Sequence, residues 1–190
     1  MKQVGFIDKW KCYTTCPFFS LRPIETGLRK GYLSRIGNRR RPRDKTPKEA
    51  PMKETLKVGL EHVHTYRVPE NKTVPYLYPE AKAFQEMPEV FATGYMVGLM
   101  EWACIEAMAP HMESGEGSVG TLVNVTHTAA TPPGMTVSVR VRCIGVEGRR
   151  TVWDIEAKDD VEVIGRGTHE RFAVDFAKFN ARVAKKAAGA

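Results

Sequence analysis

A run of 20 residues, TGYMVGLMEWACIEAMAPHM (93–112), constrains the fold of this chain more than any other feature. It reads as one helix of about four turns, from near Thr93 to near Met108, with Thr93 as a reasonable N-cap and Pro110 ending it. Met96, Val97, Leu99, Met100, Ala103, Cys104 and Ala107 leave little polar surface, so the spacing predicts a helix buried nearly all round. Such a helix needs a sheet to cover it, and the flanking sequence supplies strands. LKVGLEHVHTYRV (56–68) suits a first strand closed by Pro69. A Pro- and aromatic-rich stretch, NKTVPYLYPEAKAFQEMPEVFATG (71–94), then reads as a loop or lid.

Beyond the helix, GTLVNV alternates as a half-buried strand does, which would put Val123, Val125 and His127 on one apolar face. MTVSVRVRCIGVE alternates cleanly, with Met135, Val137, Val139, Val141 and Cys143 inward. Glu147–Gly148 makes a turn, and two further strands, TVWDIEAKD and VEVIGRGTHERFAVDF, flank a second turn at Asp159–Asp160. The lysine-rich end, RVAKKAAGA, reads as a frayed terminus. One long helix against one antiparallel sheet is an α+β architecture. A sheet of this kind leaves an edge strand exposed, and pairing with a second copy would cover it.

Charge divides the chain in two. The formal net charge is +7, but residues 1–51 hold 13 Lys/Arg against 4 Asp/Glu, and the rest holds 16 against 18. The expectation is therefore a basic, disordered N-terminal extension (1–51) followed by one folded domain (52–190). Met52 is an alternative start of translation. RRRPR reads as a solvated tail rather than a nucleic-acid site. Cys12 and Cys16 lack a second ligand pair, so no zinc site is expected. Cys104 and Cys143 read as small buried hydrophobes. With scattered cysteines, no secretory signal and no transmembrane span, the reading is a cytoplasmic protein.

Three residues stand out chemically. His127 puts an ionisable ring in an apolar run, either as a hydrogen-bonded core residue or facing a dry site. Glu101 shares a helix stripe with Val97, Cys104 and Met108, so it must meet a partner, gain a proton or line a cavity. Arg171 on the last strand could be that partner. Thr93 and Gly94 open the helix, where unpaired N–H groups make an anion or oxyanion site, although a threonine there can simply cap. One Glu, one His and one Thr fit acyl transfer without a metal or cofactor. Walker, dinucleotide and nucleophile-elbow motifs are missing.

Three long motifs then carry a resemblance. TVPYLYPEAKAFQEMPEVFATGYMVGLMEWACIEAMAP, GEGSVGTLVNVTHTAATPPGMTVSV and GTHERFAVDFAKFNARV closely resemble the fluoroacetyl-CoA thioesterase group of hot-dog-fold acyl-CoA thioesterases, from about Val58 to Val183. The resemblance implies a hot-dog fold and a homodimer with sites at its interface. It places the catalytic threonine, glutamate and histidine on Thr93, Glu101 and His127. The glycine beside the thioester carbonyl falls on Gly120 and the last-strand arginine on Arg171. The lid residues fall on Val74, Leu77 and Phe84. Met87 departs from the group's phenylalanine, which predicts hydrolysis of short activated acyl-CoAs with weakened selectivity for fluoroacetyl-CoA over acetyl-CoA. The rival readings are a hot-dog hydratase or dehydratase and a non-catalytic acyl-CoA binder.

Overall fold

In the computed structural model, residues 53 and 55–189 are described. The expectations for residues 1–51, including Cys12, Cys16 and RRRPR, and for a start at Met52, lie outside them. Five strands form one antiparallel sheet: β1 (Glu61–Arg67), β2 (Glu116–Val125), β3 (Thr136–Glu147), β4 (Arg150–Lys158) and β5 (Val163–Asp175). Their order is β1-β3-β4-β5-β2, which leaves β1 and β2 at the edges. Among the described residues there are three α-helices: a short α1 (Lys82–Gln85), the long α2 (Thr93–Met108) and α3 (Phe176–Ala188). The sheet curls over α2, as the resemblance implies.

The sheet's centre is built as its alternation dictates. Val137, Val139, Val141 and Cys143 of β3 are fully buried and sit opposite residues of β4 in register, with Val141 facing Ile155 and Cys143 facing Trp153. Met96, Leu99, Met100, Ala103, Cys104, Ala107 and Met108 of α2 close on that surface and form the core with it. Trp153 is the largest fully buried side chain, and its indole N–H donates to Thr151 Oγ1 at 2.9 Å. Truncating such a residue costs about 3–5 kcal/mol through lost burial and an unfilled cavity.

Four expectations are corrected here. First, α2 is not buried all round, since Trp102 is 46% and Ile105 44% exposed; a five-stranded sheet covers only one side of a helix. Second, β2 is an exposed edge rather than half-buried, with Leu122 and Val123 each 45% exposed, and it ends at Val125, before His127. Third, the lysine-rich end is helix α3, whose first turn is capped by Asp175 accepting from the Lys178 N–H at 3.0 Å. Finally, β1 begins at Glu61 rather than Leu56. Leu56 is nonetheless buried against the core. Among the described residues, no helix is long and apolar enough to cross a membrane.

Candidate active site

The N-cap of α2 is Ala92, not Thr93. Thr93 is the first helical residue, and its hydroxyl makes no cap, which leaves it available to a partner outside the helix. That partner is His127, whose Nδ1 lies 2.9 Å from Thr93 Oγ1. The segment carrying His127 is pinned on both sides to β5: Thr126 N–H donates to Arg166 O and Thr128 N–H to Ile164 O, each at 2.8 Å. The imidazole is thereby fixed over the start of the helix. Partial burial lowers its pKa below the ordinary histidine value, against a smaller opposing contribution from the Ala129 backbone. The ring is therefore neutral near pH 7. Its other nitrogen, Nε2, is buried with no hydrogen-bond partner among the described residues. Leaving a buried polar atom unpaired is unfavourable, so such an atom calls for a role.

Glu101 follows Thr93 by eight residues on α2, which places it about 12 Å farther along the axis and roughly 80° around it. Its side chain is 38% exposed and faces two β5 residues: Oε1 lies 3.7 Å from His169 Nε2 and 4.0 Å from Arg171 Nη1. Alternation along β5 puts His169 and Arg171 on the same inward face as Ala173, and all three are buried. The Arg171 guanidinium is held by three bonds. Its Nε donates to Ser118 Oγ at 2.9 Å, Nη2 to Ser118 O at 2.8 Å and Nη1 to His169 Nε2 at 3.0 Å. Burial lowers the Arg171 pKa, and the Glu101 charge works the other way.

Gly120 completes this group. The register pairs it with Arg171, and the ladder shifts immediately afterwards, between Gly120 and Leu122, as a bulge does. A Cβ at Gly120 would stand 2.6 Å from Glu101 Oε1 and 3.0 Å from His169 Cε1. Only a glycine lets the carboxylate rest against this strand. Cys104, also near Arg171 and Glu101, has its thiol pKa pushed up to about 12, chiefly by burial, so it is inert at neutral pH.

The structure thus brings Thr93 to His127, and Glu101 to Gly120 and Arg171, but keeps the two groups apart along one helix. Over the helix start lies the segment that the sequence reads as a loop or lid, tied down by Val74 N–H to Val90 O at 3.0 Å and Tyr95 Oη to Tyr76 O at 3.0 Å. Leu77 of the lid sits over Gly94, where a Cβ would meet its methyl groups at 3.2 Å. Val74 and Phe84 are half-buried, whereas Met87 is 52% exposed. An aromatic-lined cavity of about 230 Å³, bounded by Tyr66, Tyr95 and Trp102 among others, opens on the other flank of α2 and includes none of Thr93, Glu101 and His127. Sequence reasoning missed His169. Its signal was the inward alternation of THERFA, which pairs it with Arg171. Among the described residues, no group of three or more His, Cys, Asp or Glu is placed to hold a metal ion.

Comparison with known proteins gives the chain's family. Residues 75–177 match the family model of the fluoroacetyl-CoA-specific thioesterase. The fluoroacetyl-CoA thioesterase of Streptantibioticus cattleyicolor is 58% identical over 135 residues, which is 71% of this chain and 97% of that protein. A solved structure of the fluoroacetyl-CoA thioesterase superposes with a TM-score of 0.68 at 58% identity, covering 69% of this chain and 97% of the other. A variant of that enzyme solved with fluoroacetate and CoA gives a TM-score of 0.64 at 58% identity, covering 65% and 99%. A hot-dog-like protein from Thermanaerovibrio acidaminovorans, at 26% identity and a TM-score of 0.58 over 68% of this chain and 91% of its own, shares the fold. This chain, an α+β hot-dog protein, belongs to the fluoroacetyl-CoA-specific thioesterase family of thioester hydrolases.

Proposed function

We propose that this chain hydrolyses short, activated acyl-CoA thioesters, fluoroacetyl-CoA among them, releasing the free acid and CoA. The observation that carries the reading is His127: one nitrogen is tied to Thr93 and the other is buried without a partner, as a proton-transfer group aimed at a substrate would be. Glu101 acts as nucleophile or as base for water. Arg171 faces and orients it, and its exposure leaves it open to a ligand. Thr93 positions the thioester carbonyl, and backbone N–H groups at the start of α2 or beside Gly120 hold the oxyanion. His127, neutral at pH 7, moves protons at the α-carbon or toward the leaving thiolate. Val74, Leu77, Phe84 and Met87 form the lid, with Met87 the weak point for selectivity.

Two observations support a homodimer with interfacial sites. Thr93 and Glu101 are about 12 Å apart along one helix, too far for both to meet a single carbonyl in one protomer. The β2 edge beside Glu101 is unpaired and carries exposed Leu122 and Val123. The free, buried Cys104 and Cys143 support residence in a reducing cytoplasm. Residues 52–190 form the catalytic domain and 1–51 an extension dispensable for it, which agrees with the family match at 75–177.

Free-thiol release from a panel of acyl-CoAs tests this reading. Hydrolysis of fluoroacetyl-CoA is expected. Binding without thiol release would make the chain an acyl-CoA binder, and conversion of an enoyl-CoA to its hydroxyacyl form would make it a hydratase.

A further inference from the structure

His169 is a buried histidine that the mechanism above does not use, and its two nitrogens are assigned by geometry. Nδ1 lies 2.7 Å from the carbonyl oxygen of Leu122. A carbonyl only accepts, so Nδ1 carries the hydrogen. Nε2 of the neutral ring is then a bare lone pair, and it receives Nη1–H of Arg171 at 3.0 Å. Burial, with Arg171 beside it, disfavours a proton on Nε2 and keeps that lone pair available.

We propose that His169, through the Nε2 lone pair, aims Arg171 at the Glu101 carboxylate and is a positioning residue for thioester cleavage. Ser118 fixes two of the guanidinium nitrogens, Nε and Nη2. Among the described residues, the nitrogen that faces Glu101, Nη1, donates its hydrogen bond to His169 alone. The His169 ring also backs the carboxylate directly, since its Cε1 and Glu101 Oε1 both crowd the position of a Gly120 Cβ. Removing the acceptor would leave a buried guanidinium N–H unpaired. Arg171 could then recover a partner only by turning toward the carboxylate and dragging it out of line. Group positions in a reacting site are exacting: a misplacement of about 1 Å can cost on the order of 100-fold in rate.

The proposal rests on Glu101 being the reacting carboxylate, so the experiment tests the two separately. His169→Asn keeps an N–H near the Nδ1 position for Leu122 but offers Arg171 no acceptor. His169→Gln places an amide oxygen near the Nε2 position and restores one. In the full chain, His169→Asn should lower kcat by about 100-fold with KM changed by no more than about threefold, whereas His169→Gln should recover most of the loss. If His169→Gln does not fold, as judged by Tm, His169→Ala with added imidazole supplies the acceptor from solution, and recovery of kcat is expected. Equal losses in the two variants, a loss confined to KM, or no recovery with imidazole would overturn the proposal alone, provided Glu101→Gln is inactive. Full turnover by Glu101→Gln overturns the assignment of Glu101 and this proposal with it.

Discussion

Gly120→Ala separates the stability of this fold from its chemistry. The added methyl would stand 2.6 Å from Glu101 Oε1, where ordinary van der Waals contact begins at 3.4 Å, so the carboxylate must withdraw by at least 0.8 Å. The second neighbour, His169 Cε1 at 3.0 Å, belongs to a buried ring bonded at both nitrogens and need give by only a few tenths of an ångström. Glu101 is the far end of a flexible, partly exposed side chain, so it is the group that moves. The backbone at Gly120 has no positive φ, so alanine is not strained there. Stability should therefore change by no more than about 1 kcal/mol, because moving a free side-chain tip is cheap and the unfolded chain loses some entropy. Rate should fall by about 100-fold, equivalent to about 2.7 kcal/mol of transition-state stabilisation, if Glu101 reacts from where it stands. Thiol-release kinetics and a thermal melt on the same preparation read both quantities. A variant with wild-type kcat and unchanged Tm would refute the link between Gly120 and the carboxylate. A collapse in Tm would show that the strand, not the side chain, gives way.

Three further outcomes follow from the same geometry. His127 and His169 both have lowered folded-state pKa values, so each contributes stability that is complete above the unfolded value of about 6.5 and lost as pH falls through the folded value. Tm should decline as pH falls below about 6.5, and His127→Gln should flatten that decline, as read by melts across the range. Val123→Glu on the β2 edge should yield a monomer with little activity, read by sedimentation and thiol release together, and an active monomer would refute the interfacial site. Met87→Phe should raise selectivity for fluoroacetyl-CoA over acetyl-CoA by no more than a few hundredfold, the limit for small differences in pocket shape. An unchanged ratio of kcat/KM would remove Met87 from the lid.

Much of the fold was legible because local signals agreed. The apolar spacing and Pro110 gave α2 its observed limits, and the alternation at Val137, Val139, Val141 and Cys143 marked the sheet's inward face. Where the reading failed, the deciding interaction lay elsewhere in the chain. The apolar GTLVNV run promised burial, yet Leu122 and Val123 lie on an edge strand of the sheet. Trp102 and Ile105 stand exposed because the sheet covers only one side of α2. Helix α3 was missed although its cap was visible, since Asp175 precedes good helix formers. In the candidate site, Thr93, Glu101, His127 and Arg171 were named from their places along the sequence, and Gly120 from the resemblance alone. The role of the Thr93 hydroxyl was not visible, because a threonine at a helix start reads as a cap. His169 escaped notice because the acceptor of its Nδ1–H, the Leu122 carbonyl across the sheet, is set by strand register and not by neighbours in sequence.

The central claim is that a thioester is cleaved with Glu101 as the reacting carboxylate. Its most direct test is thiol release from fluoroacetyl-CoA by the full-length chain beside Glu101→Gln, which keeps the side chain's size and removes its charge. The account predicts steady turnover by the wild type and a loss of about 10²–10⁴-fold in the variant at unchanged Tm. Thiol release by Glu101→Gln at the wild-type rate, or none by the wild type, would contradict it.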